Sequence, residues 1–436
     1  MQPNYEAYKD KKYLVCGLAR SGVASAVLLA KLGAHVTIQD IKPKEELELV
    51  ENFDEIEKYN IDLYLEKNPD DIVKNFDGIV VSPGIPCDLP FFAKAEEAGV
   101  EVIGEIELAY RLCPCKTIAV TGTNGKTTTT ALLGEIMKAY RPGSVVVGNI
   151  GEPFTGEVLG LTDDVYAVAE ISSFQLETAV DFKPHIAVML NLTPDHLNRH
   201  GTVENYAAVK ESIFANQDES DFAVINRDDE TCRVMASRVK SSVEFFSKTQ
   251  LAETHYKTIL PGAHNAENVM AAITAARCAG VPDKLIRKVV GEFEGVEHRI
   301  EFVAEINGAR YYNDSKATNT DAAIKALEAF EQPIVLIGGG YDKKADFTEW
   351  VGLFKGKVKK VVLVGQTAFQ IKETCEKNGF FDCDIAEDFK NAVELCHAAA
   401  VDGDIVLLSP ACASFGLFDN YEQRGTVFKE IVKDLI

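Results

Sequence analysis

No apolar run in the 436 residues approaches the ~18 needed to span a bilayer, so a membrane-spanning helix is not expected. The N-terminal stretch, residues 1–12, is polar and lacks the hydrophobic core of a secretory signal. No C-x-x-C pair occurs. The ten cysteines are scattered, and the tightest pair is Cys113-Pro114-Cys115. Zinc-ligand spacing is therefore missing, and free thiols in a reducing cytoplasm are expected. Positive charge is scarce: 45 Lys and Arg face 67 Asp and Glu, for a net charge of -22. That argues against nucleic acid or an anionic membrane as the main partner. An anionic ligand must instead meet a local cationic pocket. Short-period repeats and low-complexity segments are also missing.

One motif supplies such a pocket. Ile118-Ala-Val-Thr-Gly-Thr-Asn-Gly-Lys-Thr-Thr128 runs from a short apolar stretch through a glycine-rich turn into a helix-compatible segment, Thr129 to Tyr140. Glycines let backbone N–H groups close around an anion. The helix start adds partial positive charge, Lys126 adds a full one, and the Thr127 hydroxyl suits Mg²⁺. The full pattern G-x-x-x-x-G-K-[ST] would need glycine where Val120 stands, so the match is reduced to G-x-x-G-K-T. ATP is the ligand this arrangement predicts.

The length allows roughly two to four domains, and the apolar runs divide the chain into three α/β modules, expected over residues 1–106, 107–294 and 295–436. In the first, strands at Tyr13–Cys16, His35–Gln39 and Gly78–Ser82 alternate with helices at Gly22–Leu32 and Pro90–Ala98. The turn Gly17-Leu-Ala-Arg-Ser-Gly22 resembles the dinucleotide fingerprint, but Ala19 replaces the glycine that admits a pyrophosphate. Asp40 ends the next strand, near the position of a ribose-binding acid. A nicotinamide dinucleotide, a mononucleotide or sugar-nucleotide diphosphate, and a bare helix start all remain open; Ala19 favours the second.

Polar groups gather after strands in the other two modules. Glu170 opens Glu170-Ile-Ser-Ser-Phe-Gln at a strand end, well placed for Mg²⁺. Asn191-Leu-Thr-Pro-Asp-His196 follows another strand, which makes His196 a functional candidate. Lys210 lies on an amphipathic helix, where a lysine is ordinarily a surface charge. In the third module, loops at Tyr311–Asn319, Gly338–Lys344 and Leu408–Phe415 each follow a strand and carry Lys, Ser or Thr, suited to a small dicarboxylate.

The runs Gly122–Thr127, Glu170–Gln175, His264–Asn268, His298-Arg299, Asp314-Ser-Lys-Ala-Thr-Asn319 and Ser409-Pro-Ala-Cys-Ala-Ser414 resemble the Mur ligases, in order along nearly the whole chain. The last two runs resemble those of the D-glutamate-adding branch. The resemblance implies a Rossmann-like N-terminal domain, a central P-loop ATPase domain with a parallel sheet, and a Rossmann-like C-terminal domain. It implies ligation of D-glutamate to UDP-N-acetylmuramoyl-L-alanine through an acyl phosphate, by a cytoplasmic monomer with neither nucleic-acid nor membrane partner.

The residue roles it implies are these. Arg20, Ser21, Lys42 and Ser82 line the UDP site, and Asn149 and His196 contact the muramoyl part. Gly122, Thr123, Asn124, Gly125, Lys126, Thr127 and Thr128 hold ATP phosphates, with Asn268, Arg299 and Asp314 positioning the nucleotide. Thr127 and Glu170 hold one Mg²⁺; His196 and a CO₂-derived carbamate on Lys210 hold a second. Lys126, His196 and Lys210 form the catalytic set, and Thr318, Lys343, Ser414, Phe415 and Tyr421 surround D-glutamate. Competing readings are a sister ligase for another amino acid, a folylpolyglutamate synthetase, a nucleotide-driven switch and a dehydrogenase. Folate needs no UDP-binding module, and a switch leaves the third module's loops unexplained.

Overall fold

The computed structural model describes residues 3–44, 53–254, 256–260, 262–341 and 345–436. The chain divides into two compact units, Met1–Lys257 with Ala266–Gly291, and Thr258–Asn265 with Glu292–Ile436.

The first unit contains two parallel sheets. One has five strands: β1 (Lys12–Cys16), β2 (His35–Asp40), β3 (Asp62–Leu65), β4 (Gly78–Val81) and β5 (Glu101–Gly104), in the order β3-β2-β1-β4-β5. The other has six: β6 (Lys116–Thr121), β7 (Val145–Gly148), β8 (Tyr166–Glu170), β9 (Ile186–Met189), β10 (Phe222–Asn226) and β11 (Ser242–Phe246), in the order β11-β10-β9-β6-β8-β7. In each sheet the first strand lies inside, and the chain turns back on its other side. That leaves a crevice beyond the C-terminal ends of the strands, between β1 and β4 and between β6 and β9. Both crevices carry glycine loops.

The two sheets are joined by buried carboxylates on the helix Glu105–Leu112. Glu105 accepts bonds from the Thr155 N–H (2.7 Å) and hydroxyl (2.9 Å). Glu107 accepts from three successive backbone N–H groups, Val180, Asp181 and Phe182, at 2.9–3.0 Å, and from Arg111. Acids with so many donors fix the helix where apolar packing alone would let it slide.

The second unit has one six-stranded sheet: β12 (Glu301–Ile306), β13 (Ala309–Asn313), β14 (Ile334–Gly338), β15 (Val358–Leu363), β16 (Cys383–Ile385) and β17 (Ile405–Leu408), in the order β12-β13-β17-β14-β15-β16. Only the β12–β13 pair is antiparallel. The loops after β13, β17 and β14 therefore leave the sheet side by side at one edge. The fold is α/β throughout, with no helix among the described residues long and apolar enough to cross a membrane. All ten cysteines are free.

Candidate active site

The loop between β6 and the helix Lys126–Tyr140 is held in an arch by the protein's own polar groups. The Asn191 side chain brackets it, accepting from the Asn124 N–H (2.8 Å) and donating to the Asn124 carbonyl (3.1 Å). The Thr123 hydroxyl lies 3.1 Å from the Tyr206 hydroxyl. Lys126 curls back, its Nζ donating to the carbonyls of Gly122 (2.9 Å) and Thr123 (2.6 Å). Gly125 caps the helix with φ 83°. A Cβ there would lie 2.0 Å from Asn268 Oδ1, so Asn268 is seated against the loop and only glycine fits.

Beneath the arch lies a polar cluster. Glu170, at the end of β8, is buried; its Oε1 accepts from Asn149 Nδ2 at 2.7 Å, while Oε2 has no hydrogen-bond partner. Lys210 is 1 % exposed, so it is not the surface charge that a lysine on such a helix ordinarily is. The helix Val203–Glu211 turns Tyr206 and Lys210, one turn apart, into the protein. Lys210 Nζ donates to Thr121 Oγ1 (3.2 Å) and lies 5.0 Å from the centre of the Tyr206 ring. Burial first, then the nearby Lys126 ammonium, push its pKa down from 10.5 to about 7, against the pull of Asp195, Glu170 and Cys232.

A cation fits this donor set. Glu170 Oε2 is a buried carboxylate oxygen lacking the partner it needs. Among the described residues no three His, Cys, Asp or Glu side chains converge on one point. Half-buried Thr127, at the second position of the helix, offers a hydroxyl.

His196 stands at φ 51° and is about half exposed, its Nε2 3.4 Å from Asp195 and its ring 4.8 Å from that of Phe174. Its carbonyl accepts from the N–H groups of Arg199 and His200, closing one helical turn. In the other crevice Ser82 Oγ donates to the Gly17 carbonyl at 3.0 Å. A Cβ on Gly22 would stand 1.9 Å from that carbonyl, so this glycine permits the tight approach of helix to loop. Asp40 accepts from the backbone N–H groups of Leu18 (2.8 Å) and Lys42 (3.0 Å). Its oxygens thus shape the loop, which weakens the ribose-binding alternative and with it the dinucleotide reading. Exposed Arg20 donates to the Gly151 carbonyl, two residues beyond Asn149, at 3.3 Å.

In the second unit Asp314, at the end of β13, is buried. It accepts from Ser409 Oγ (2.8 Å) and the Ile300 N–H (3.3 Å). Burial raises its pKa from 3.8 to about 7, although Arg299, Ser409, the Ile300 N–H and Arg424 all favour the charged form. Arg299 is next to His298, and its Nε is buried with no hydrogen-bond partner. Thr318 is half-buried, Ser414 buried and Phe415 exposed, edge-on to Tyr341. Tyr421 starts the last helix and carries Lys316 Nζ 5.6 Å from its ring centre. Lys343 lies outside the described residues.

Three family models match successive parts of the chain: Mur ligase MurD-like N-terminal domain at residues 11–104, Mur ligase middle domain at 120–259, and Mur ligase glutamate ligase domain at 298–412. Proteins named UDP-N-acetylmuramoylalanine–D-glutamate ligase from Lachnospira eligens and Caldicellulosiruptor bescii are 45 % and 47 % identical. They align over 98 % of this chain and 99 % and 98 % of their own lengths. The chain belongs to the Mur ligase family. The solved UDP-N-acetylmuramate-alanine ligase MurC of Thermotoga maritima, at 17 % identity, shares the Mur ligase fold with a TM-score of 0.60, over 98 % of this chain and all of that one.

Within this Mur ligase, Arg20, Ser21, Ser82, Gly122–Thr128, Asn149, Glu170, His196, Lys210 and Asn268 all fall in the first unit, and Arg299, Asp314, Thr318, Ser414, Phe415 and Tyr421 in the second. Lys42 is exposed, three residues before the undescribed stretch 45–52. Sequence reasoning missed four residues that organise these loops. Asn191 and Tyr206 secure the phosphate arch, and the charge of Asp195 favours the protonated form of Lys210. Arg424 is 2 % exposed and ties three segments together: it donates to Ser315 Oγ (2.9 Å), the Ser315 carbonyl (2.7 Å) and the Cys412 carbonyl (3.1 Å). A lone arginine in an otherwise amphipathic helix carries no local signal. Asn191 was visible as a polar residue just past a buried strand.

Proposed function

We propose that this Mur ligase joins D-glutamate to UDP-N-acetylmuramoyl-L-alanine, at the expense of ATP, in the synthesis of a peptidoglycan precursor. The end-to-end 45–47 % identity to ligases of that name is the observation that carries the reading. The closed phosphate arch with Lys126 gives it a chemical basis.

The first step joins two anions: the alanyl carboxylate attacks the γ-phosphorus of ATP, ADP leaves and an acyl phosphate forms. The amine of D-glutamate then attacks the carbonyl, and an amide, phosphate and a proton are released. Lys126 and the backbone N–H groups of Gly122–Thr128 neutralise the polyphosphate, with Asn268 seated against them. Asn149 and His196 hold the muramoyl end, and Arg20, Ser21, Lys42 and Ser82 the UDP end. Arg299 and Asp314 position the nucleotide, while Thr318, Lys343, Ser414, Phe415 and Tyr421 receive D-glutamate. Mg²⁺ held by Thr127, Glu170, His196 and Lys210 would supply charge neutralisation at the transferring phosphoryl group.

Free lysine is a poor Mg²⁺ ligand. With a pKa near 7, a large share of Lys210 is the neutral amine, which adds to CO₂ to give a carbamate and a proton. A carbamate is carboxylate-like and suits a hard cation. The enzyme acts in this scheme as a cytoplasmic monomer, with small molecules as its only partners.

The test is phosphate release from MgATP and UDP-N-acetylmuramoyl-L-alanine with D-Glu, L-Glu, L-Lys, diaminopimelate or no amino acid. Turnover with D-Glu alone, and a product one glutamyl residue heavier, is expected. Release with another amino acid would reassign the third domain, and release with none would favour a nucleotide-driven switch.

A further inference from the structure

Arg199 does more than its place in a one-turn helix requires. Its Nε donates to both oxygens of Glu177 (3.2 and 3.0 Å) and its Nη2 to Glu177 Oε2 (2.5 Å). The same Nη2 donates to the Ile85 carbonyl at 2.8 Å. The guanidinium also stacks 4.4 Å from the centre of the Phe174 ring, whose centre lies 4.8 Å from that of the His196 ring. Both partners of the ion pair are 14 % exposed, so this is not a solvent-screened surface bridge.

The contacts run in two directions. Toward the central sheet, the Arg199 N–H bonds the His196 carbonyl at 2.9 Å, and Glu177 lies 3.4 Å from His200, whose Nε2 meets Ser173 Oγ at 3.0 Å. Toward the first sheet, Ile85 closes the turn Ser82–Ile85, its N–H bonding the Ser82 carbonyl at 3.0 Å; Ser82 Oγ holds the Gly17 carbonyl. Cys87, just past that turn, donates its thiol to Glu177 at 3.4 Å. One buried fork therefore connects the loop assigned to the UDP diphosphate with the turn that presents His196.

We infer that Arg199, oriented by Glu177, is a positioning residue that sets the spacing between the UDP anchor and the reacting acyl end of the substrate. The inference rests on the function proposed above. The physical reason is that binding energy gathered at a remote anchor accelerates a reaction only when the frame between anchor and reacting atoms is stiff. A misplacement of about 1 Å can cost on the order of 10²-fold in rate. A lysine in place of Arg199 would keep the charge and lose the planar fork that reaches Glu177 and the Ile85 carbonyl together.

The test uses the full-length enzyme with Arg199→Lys, Arg199→Ala and Glu177→Gln. Three quantities are measured: kcat/KM for UDP-N-acetylmuramoyl-L-alanine, KM for MgATP, and the affinity for UDP alone by calorimetry. UDP fills only the remote anchor. The expected result is a fall in kcat/KM of about 10²-fold for Arg199→Ala and a smaller one for Arg199→Lys. UDP affinity and the KM for MgATP should stay within about threefold of the parent. A kcat/KM within about threefold of the parent in all three variants would overturn the inference. So would parallel losses in UDP affinity and MgATP KM, which mean general damage to the fold. If Arg199→Ala does not fold, Arg199→Lys and Glu177→Gln carry the same comparison. A parent enzyme that shows no D-glutamate-dependent turnover would overturn the proposed function instead.

Discussion

Replacing Asp314 by asparagine should destabilise the second unit at low pH and cost it less as the pH rises. The carboxyl is buried, and its pKa rises from 3.8 to about 7. A folded-state pKa above the unfolded value means the native state holds its proton longer. The group thus contributes stability that is complete below pH 3.8 and lost as pH rises through about 7. At about 1.4 kcal/mol per pH unit, the full loss is about 4 kcal/mol, and about 2 kcal/mol of it falls between pH 5.5 and 8.5. Asparagine does not titrate. It keeps one acceptor for the Ser409 hydroxyl or the Ile300 N–H but not both, a pH-independent cost of roughly 1–3 kcal/mol. Asp314→Asn should therefore be less stable than the parent at pH 5.5 and gain about 2 kcal/mol on it by pH 8.5. Trp350 is the only tryptophan and is fully buried in the second unit, so its fluorescence in urea titrations reads that unit's unfolding. A stability difference that is the same at both pH values would refute the argument, because it would mean that the Asp314 carboxyl does not change its protonation in the folded protein between them.

Lys126→Ala should lower phosphate release by about 10²–10³-fold or more, since it removes the only full charge on the arch; near-normal release would refute its role. Lys210→Ala should be inactive and partly rescued by small carboxylic acids, and full activity without rescue would remove Lys210 from the chemistry. Gly125→Ala forces a side chain into φ 83° and against Asn268, so it should destabilise the first unit by roughly 1–3 kcal/mol and raise the KM for ATP. Unchanged melting and an unchanged KM would show that the loop relaxes freely.

The parts of the fold legible in the sequence were its interior. Strands β1, β4, β6, β9, β14 and β17 read as short apolar runs or as the strands before polar loops, because helices cover both faces of a parallel sheet. The strands that escaped notice include β3, β5, β11, β12 and β16, every one at a sheet edge. Asp62–Leu65 has no buried residue, Ser242–Phe246 is exposed at Ser242 and Glu244, and Cys383–Ile385 is only three residues long. Such segments are strands because a neighbour offers hydrogen bonds, which no local pattern announces. The same distinction applies to the site. Glycines and the Lys-Thr pair of the arch follow each other in sequence and could be read directly. Lys210 could not, because its burial depends on β6 and the arch closing over a helix more than eighty residues away.

The bonds from Lys126 to the Gly122 and Thr123 carbonyls also bear on inhibition by product. The ammonium is latched onto its own loop. A solitary inorganic phosphate or chloride must break that latch in return for a few contacts with one anionic centre. A triphosphate brings several such centres along the whole arch at once. The loop is therefore suited to a ligand with several anionic centres more than to one with a single centre, and inorganic phosphate should compete with ATP only weakly; a phosphate inhibition constant comparable to the KM for ATP would refute this.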